Sequence, residues 1–213
     1  MMMVNVKICG ITNLEDAEIA INFGADALGF NFVPGTPRFL EVQYAKEIMS
    51  SLSYFDQKIG VFADEERNRV EKISSELELK TIQLHGNETP QDCDYFVERG
   101  FRIIRALRVR DSSTINVVSE YKNCTILLDS FVRGKLGGTG EKFNWSLAKE
   151  LTGRESIILS GGLNSSNVRE ALKEISPFGV DVCSGVEKKN PRKKDPELVK
   201  EFINNAKSVL NIG

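Results

Sequence analysis

Two side chains in this sequence could do acid–base chemistry on one ligand. Cys9 ends a short β-like run, Val4 to Ile8, and Gly10 then lets the chain turn away. A thiol in that position faces the pocket that the strand ends line. An ordinary cysteine, with a pKa of ~8.5, is mostly protonated at neutral pH. Work as a base or nucleophile therefore needs local stabilisation, for instance from Lys7 or a helix dipole. The plain alternative is an inert thiol, since free cysteines are among the most buried residues. Asp129 follows the apolar run Thr125-Ile126-Leu127-Leu128. Partial desolvation there raises a carboxyl pKa and can keep the group protonated as a proton donor.

Other residues could hold the ligand. Ser160-Gly161-Gly162-Leu163 and Ser184-Gly185-Val186-Glu187 are Gly-bearing turns, each with a helix start close by. They offer backbone N–H groups and a positive dipole end, which suits a phosphate; otherwise they are tight turns. Arg38 has the planar fork that clamps a carboxylate, or it is a surface arginine. His85, before Gly86, is an acid–base candidate or a pocket-lining residue.

Something must bring these residues together. Strand-like segments recur at 5–9, 27–32, 58–62, 81–84, 102–107, 125–128, 156–159 and 179–182. Helical patterns follow them at 14–23, 41–52, 66–77, 90–99, 112–121, 145–151, 165–175 and 196–210. Asn13 or Thr12, Thr89 and Asp195 stand at helix starts as caps, and Gly24 stops the first helix. Strands this short and apolar, each followed by a helix, imply a parallel sheet covered by helices. Eight units in 213 residues fit a closed (β/α)8 TIM barrel, a single domain over residues 1–213 near the ~200-residue lower bound. The alternative is an open doubly wound sheet. Polar or glycine residues at nearly every strand end, and no GxGxxG after the first strand, favour the barrel. Its strand ends predict one pocket lined by Cys9, Asn31 with Arg38, Phe62, His85, Arg105 to Arg108, Asp129, Ser160 to Gly162, and Cys183 to Gly185. Trp145 and the phenylalanines are otherwise read as core.

Composition narrows the function classes. A net charge of −2 gives no global field for nucleic acid or an anionic membrane. The basic run Lys188 to Lys194, flanked by Glu187 and Asp195 without interleaved aromatics, reads as a solvated loop. Four cysteines without a CxxC pair, and one histidine, argue against structural zinc and a disulfide framework. Residues 1–7 lack the apolar core of a signal peptide, and no apolar run approaches the ~20 residues of a membrane span. The expected setting is cytoplasmic, with free thiols.

The motifs resemble those of the phosphoribosylanthranilate isomerase family. Lys7-Ile8-Cys9-Gly10-Ile11-Thr12 looks like its N-terminal signature. Similar too are Gly24 to Phe30, the segment ending at Arg38, Gly60-Val61-Phe62, Gln83-Leu84-His85-Gly86, Leu127-Leu128-Asp129 and Gly137-Gly138-Thr139-Gly140. Leu159 to Leu163, Val180 to Glu187 and Lys193-Lys194-Asp195 complete the set in family order. The resemblance implies a (β/α)8 barrel, no cofactor and no metal. It implies the Amadori rearrangement of N-(5-phosphoribosyl)anthranilate to 1-(2-carboxyphenylamino)-1-deoxyribulose 5-phosphate in tryptophan biosynthesis. It assigns Cys9 as general base and Asp129 as general acid. Arg38 takes the anthranilate carboxylate, Gly161, Gly162, Ser184 and Gly185 the phosphate, and Asp181 lies near the sugar hydroxyls; His85 is counted with the substrate-binding residues. The expected partner is a small phosphosugar, with no nucleic acid or membrane, and the chain is a monomer or homodimer. One departure is Cys183, where a small hydroxyl residue is expected; it leaves the backbone cradle intact. Three alternatives stay open. The sugar-phosphate isomerase of histidine biosynthesis would use two aspartates, but Cys9 takes the first position. Indoleglycerol-phosphate synthase would want an early lysine and glutamate. A non-catalytic phosphate-binding barrel is the third.

Overall fold

The structure, a computed structural model, describes residues 4–109, 112–130 and 157–208. The apolar, β-branched runs form parallel strands β1 (Asn5–Cys9), β2 (Ala27–Asn31), β3 (Lys58–Phe62), β4 (Thr81–Leu84), β5 (Arg102–Val109), β6 (Thr125–Ser130), β7 (Ile157–Leu159) and β8 (Gly179–Val182). Each pairs with the next, and β8 returns to β1, closing the barrel. That closure decides between the barrel and the open sheet. Around it lie α1 (Leu14–Asn22), α2 (Val42–Ser51), α3 (Arg67–Glu76), α4 (Pro90–Val97), α5 (Ser112–Val118), α6 (Val168–Ile175) and α7 (Pro196–Ser208).

The caps work as their residue types require. Asn13 accepts from the Asp16 amide at 3.0 Å, and Thr89 and Asp92 form a reciprocal capping box before Pro90. Asp195 accepts from the Glu197 and Leu198 amides at 3.0 and 3.3 Å. Such caps contribute about 1 kcal/mol each. The helix expected from residue 165 begins only at Val168. Asn164 instead folds the chain into a polar turn, accepting from the Ser166 amide at 2.9 Å. Strands β5 and β6 outrun their expected ends because Arg108 pairs with Asp129 and Val109 with Ser130. The Gly134–Gly140 loop and the helix expected over 145–151 lie outside the described residues.

Side chains alternate across each strand, and this divides the core in two. Val6, Ile8, Leu28, Phe30, Ile82, Leu84, Leu128 and Val180 pack outward against helix residues such as Ala17, Phe96, Ala171 and Phe202. Ile59, Ile104, Ala106, Leu127 and Ile158 fill the lumen. Two residues further along these strands come Val61, Arg108, Asp129 and Ser160, which line an open cleft above that plug. The plug supports the floor, and the same alternation selects which residues reach the cleft. No helix among the described residues is long and apolar enough to cross a membrane.

Candidate active site

The cleft measures about 830 Å³ including its open mouth, and Cys9, Asp129, His85, Arg38, Asp181, Gly161, Gly162 and Ser184 all line it. Gly185 sits just behind. A side chain on it would collide with the Leu163 carbonyl oxygen, so the bends after β7 and β8 touch backbone to backbone.

On one wall, Cys9 and Lys7 point inward from β1, and both side chains converge over Gly29. A Cβ on Gly29 would lie 2.7 Å from Cys9 Sγ and 3.0 Å from Lys7 Nζ. Lys7 Nζ donates to Asp181 Oδ1 at 2.7 Å, with both side chains buried. Burial alone would favour neutral lysine, but Asp181 and Cys9 raise its pKa instead. The neighbouring Cys183 thiol holds the Cys9 thiol below the usual range; burial opposes this and Lys7 reinforces it. Cys183 Sγ itself donates to Glu187 Oε1 at 3.7 Å. The Cys183 thiol is pushed up by its Cys9 neighbour and by burial.

Burial pushes the Asp181 carboxyl up to about 6, against the pull of Lys7. Its folded pKa lies above the ordinary value of ~3.9, so folding favours its protonated form. That contribution is full below about pH 4 and is lost as pH rises through about 6. Near neutrality the carboxylate depends on Lys7. Lys7→Met is expected to destabilise the fold by about 3–5 kcal/mol at pH 7.5 in urea unfolding, because it strands a buried charge. The loss should shrink in acid, where Asp181 takes a proton. Cys9 alkylation should shift to higher pH in the same variant.

Across the cleft, three strands away, β4 and β6 build a chain of polar groups. Gln83 Nε2 lies 3.0 Å from His85 Nδ1, and His85 Nε2 lies 3.1 Å from Asp129 Oδ2. With the Gln83 amide donating to Nδ1, Nε2–H donates to the Asp129 carboxylate. Rotation of the amide presents its oxygen to Nδ1–H and lets Nε2 accept from a protonated Asp129. Gln83 Oε1 is buried and has no partner among the described residues. The chain can therefore serve Asp129 before and after proton loss. Arg108 borders it, donating to the His85 carbonyl at 3.2 Å.

The phosphate-type cradle is made of backbone. Gly161 and Gly162 have φ of +78° and +69°, a conformation that favours glycine. Among the described residues their N–H groups have no protein acceptor. Asn167 Nδ2 donates to the Gly162 carbonyl at 2.9 Å and so anchors the bend.

Arg38 meets the cleft in a different way from the sequence reading. Its Nε and Nη2 donate to the two carboxylate oxygens of Glu187, each at 2.6 Å. The fork expected for a substrate carboxylate is closed on an internal one, and Nη1 remains. Glu187 also pairs with Lys194 at 3.0 Å. Two cations share one carboxylate, leaving one net positive charge beside the cleft.

Three expectations need correction. Phe62 does not reach the cleft; alternation turns it outward, where it stacks on Phe32 at 5.3 Å, and Val61 and Ala63 take the wall. Arg105 is likewise outward, bound to the Leu84 and Ala106 carbonyls and paired with Glu88 at 3.2 Å. The basic run is not solvated throughout: Lys194 is only 2% exposed, because the turn returns it beside Glu187. The sequence reading set Arg108 in the pocket as part of Arg105 to Arg108 and Glu187 at the end of the second Gly-bearing turn, but gave no role to Gln83 or Lys194. Period-two counting back from His85 and Asp129 would have flagged Gln83 and Leu127 as inward; no local signal marks Lys194. Among the described residues, no group of three His, Cys, Asp or Glu is placed to hold a metal ion.

Comparison with known proteins follows the same lines. A family model described as N-(5'-phosphoribosyl)anthranilate (PRA) isomerase matches residues 6–205. The N-(5'-phosphoribosyl)anthranilate isomerase of Pelobacter propionicus is 44% identical over 205 residues, 96% of each chain. A crystal structure of phosphoribosyl anthranilate isomerase from Thermotoga maritima superposes with a TM-score of 0.89 at 42% identity, covering 97% of this chain and 100% of that one. A phosphoribosyl anthranilate isomerase in complex with reduced 1-(o-carboxyphenylamino)-1-deoxyribulose 5-phosphate superposes with a TM-score of 0.86 at 40% identity, with the same coverage.

Proposed function

The chain belongs to the N-(5'-phosphoribosyl)anthranilate isomerase family, and from that premise we propose that Cys9 and Asp129 carry the Amadori rearrangement of N-(5'-phosphoribosyl)anthranilate in its cleft. The observation that carries the residue assignment is that the Cys9 thiol, with Lys7 Nζ beside it, lines one wall and the His85-bonded Asp129 carboxyl the other. The reaction belongs to tryptophan biosynthesis. It is assigned to the cytoplasm, whose reducing poise keeps a working thiol free.

The phosphate docks on the bends of Gly161, Gly162, Ser184 and Gly185, whose backbone amides favour an anion. The anthranilate carboxylate meets the free Nη1 edge of Arg38 and the local positive charge. Asp181, which also accepts from Ser160 Oγ at 3.3 Å, faces the sugar hydroxyls. Anchoring both ends of the ligand orients the reacting carbon atoms between acid and base.

Asp129 protonates the furanose ring oxygen. The C1–O bond breaks as the nitrogen lone pair forms a C1=N bond, giving an iminium. That cation acidifies the C2 hydrogen, which the Cys9 thiolate removes. The C–H electron pair forms C1=C2, and the π pair returns to nitrogen, giving an enolamine. The enol hydroxyl then loses its proton, C1 gains one, and the ketone results. His85 donates to Asp129 once its proton has left. Apart from the ring opening itself, each step is a proton transfer.

The test is incubation with freshly generated phosphoribosylanthranilate, following the loss of its fluorescence and identifying the product by NMR. The expected product is the 1-deoxyribulose 5-phosphate. Phosphosugar binding by calorimetry without that product would leave only a phosphate-binding barrel.

A further inference from the structure

We propose that Cys9 and Cys183 are a reversible oxidation site: peroxide joins them in a disulfide that shuts the cleft's chemistry off, and a thiol reductant reopens it. The barrel closure sets up the pair. Strand β1 runs beside β8 with Ile8 opposite Val182, so the next residues in register are Cys9 and Cys183. Neighbouring strands lie about 4.8 Å apart, within the Cα separation that a disulfide spans. Both side chains face the same cleft, and the Cys183 thiol, which donates to Glu187 Oε1 at 3.7 Å, opens onto the same wall as Cys9. Gly10 makes room for the second sulfur: a Cβ there would sit 2.9 Å from Cys183 Sγ.

The surroundings favour oxidation at this pair. Peroxide reacts with a thiolate that solvent can reach. Cys9 is only partly buried and lines the open cleft, and Lys7 Nζ, converging with its sulfur over Gly29, favours the thiolate. Lys194 Nζ lies 3.9 Å from Cys183 Sγ, a cation that supports sulfur attack from that side. The chemistry balances with hydrogen peroxide as the oxidant. The Cys9 thiolate attacks one peroxide oxygen, the O–O bond breaks, and hydroxide leaves to give Cys9–SOH. The Cys183 sulfur attacks Cys9 sulfur, the S–O bond breaks, and the departing hydroxide takes the Cys183 proton as water. The two sulfurs lose two electrons, and peroxide is reduced to one water and a hydroxide that solvent protonates to a second. Without the second thiol, the sulfenic acid stays open to further, irreversible oxidation. Cys183 therefore protects Cys9 as well as silencing it.

The molecule contains two further free thiols away from the site, Cys93 on α4 and Cys124 before β6. Neither residue lines the cleft, so this pair serves as an internal control.

The effect on turnover rests on the reading of Cys9 as base; the bond itself does not. The full chain is treated with hydrogen peroxide, quenched by alkylation, digested and mapped by mass spectrometry, with turnover measured before and after dithiothreitol. A Cys9–Cys183 peptide lighter by two hydrogens is expected. Turnover should fall in proportion to the crosslinked fraction and return with dithiothreitol. Cys183→Ser, compared with its own untreated activity, should be inactivated without recovery and carry sulfinic acid at Cys9. A disulfide at Cys93–Cys124 alone, sulfinic acid at Cys9 in the unsubstituted chain, or full recovery of Cys183→Ser would each overturn the proposal. A Cys9–Cys183 crosslink that leaves turnover intact overturns the switch by way of the base assignment, since the bond would then be proven and the base role lost.

Discussion

Replacing Cys9 by alanine is expected to lower kcat by about 10²–10⁴-fold, the contribution of one positioned base, with little change in affinity for a phosphosugar. The thiol is half-buried in the cleft wall and outside both apolar cores, so thermal unfolding should move little. Serine should not rescue the activity. Its hydroxyl ionises far above a thiol, and neither Lys7 nor Cys183 can hold an alkoxide at neutral pH. The measurements are the fluorescence decay of phosphoribosylanthranilate and calorimetric binding of a reduced product analogue. A Cys9→Ala variant with near wild-type kcat would mean that another group takes the C2 proton.

Asp129→Asn is the second large expected loss, again about 10²–10⁴-fold in kcat. The amide keeps the size of the side chain and leaves a group to face His85 Nε2, now 3.1 Å from Oδ2. It cannot hand a proton to the ring oxygen. Binding of the reduced analogue should survive, since the phosphate bends and Arg38 are untouched. The contrast with His85→Gln is informative. On the proposed assignment that residue acts through Asp129, which it touches, so its loss should be smaller than that of Asp129→Asn. Equal losses in the two variants would make His85 the acid.

Much of this was legible in the chain. The strand–helix repeat announced the barrel, because buried parallel strands need short apolar runs and a returning helix. Cap residues and turn glycines fell where local backbone chemistry demands them, as at Asn13, Thr89 and Gly161. Cys9, Asp129 and the two Gly-bearing bends were found because a barrel's strand ends share one mouth. The errors came from reading strand ends as points. Phe62 and Arg105 stand near the mouth in sequence, yet alternation turns them to the helix layer, while Val61 and Arg108 face inward. Residues 131–156, which carry a glycine-rich loop in the sequence, lie outside the described residues.

Local chemistry thus determined the elements, their order and the types of groups at the mouth. It could not say which of those groups would hold one another. Lys7 meets Asp181 across 174 positions, and Arg38 meets Glu187 across 149. Cys9 meets Cys183 only because the last strand closes on the first. Such pairings depend on register around a closed ring, a property of all eight strands together. Closure therefore paired Arg38 with an internal carboxylate, buried Lys194 in a run of exposed cations, and set Lys7 and Cys183 beside Cys9.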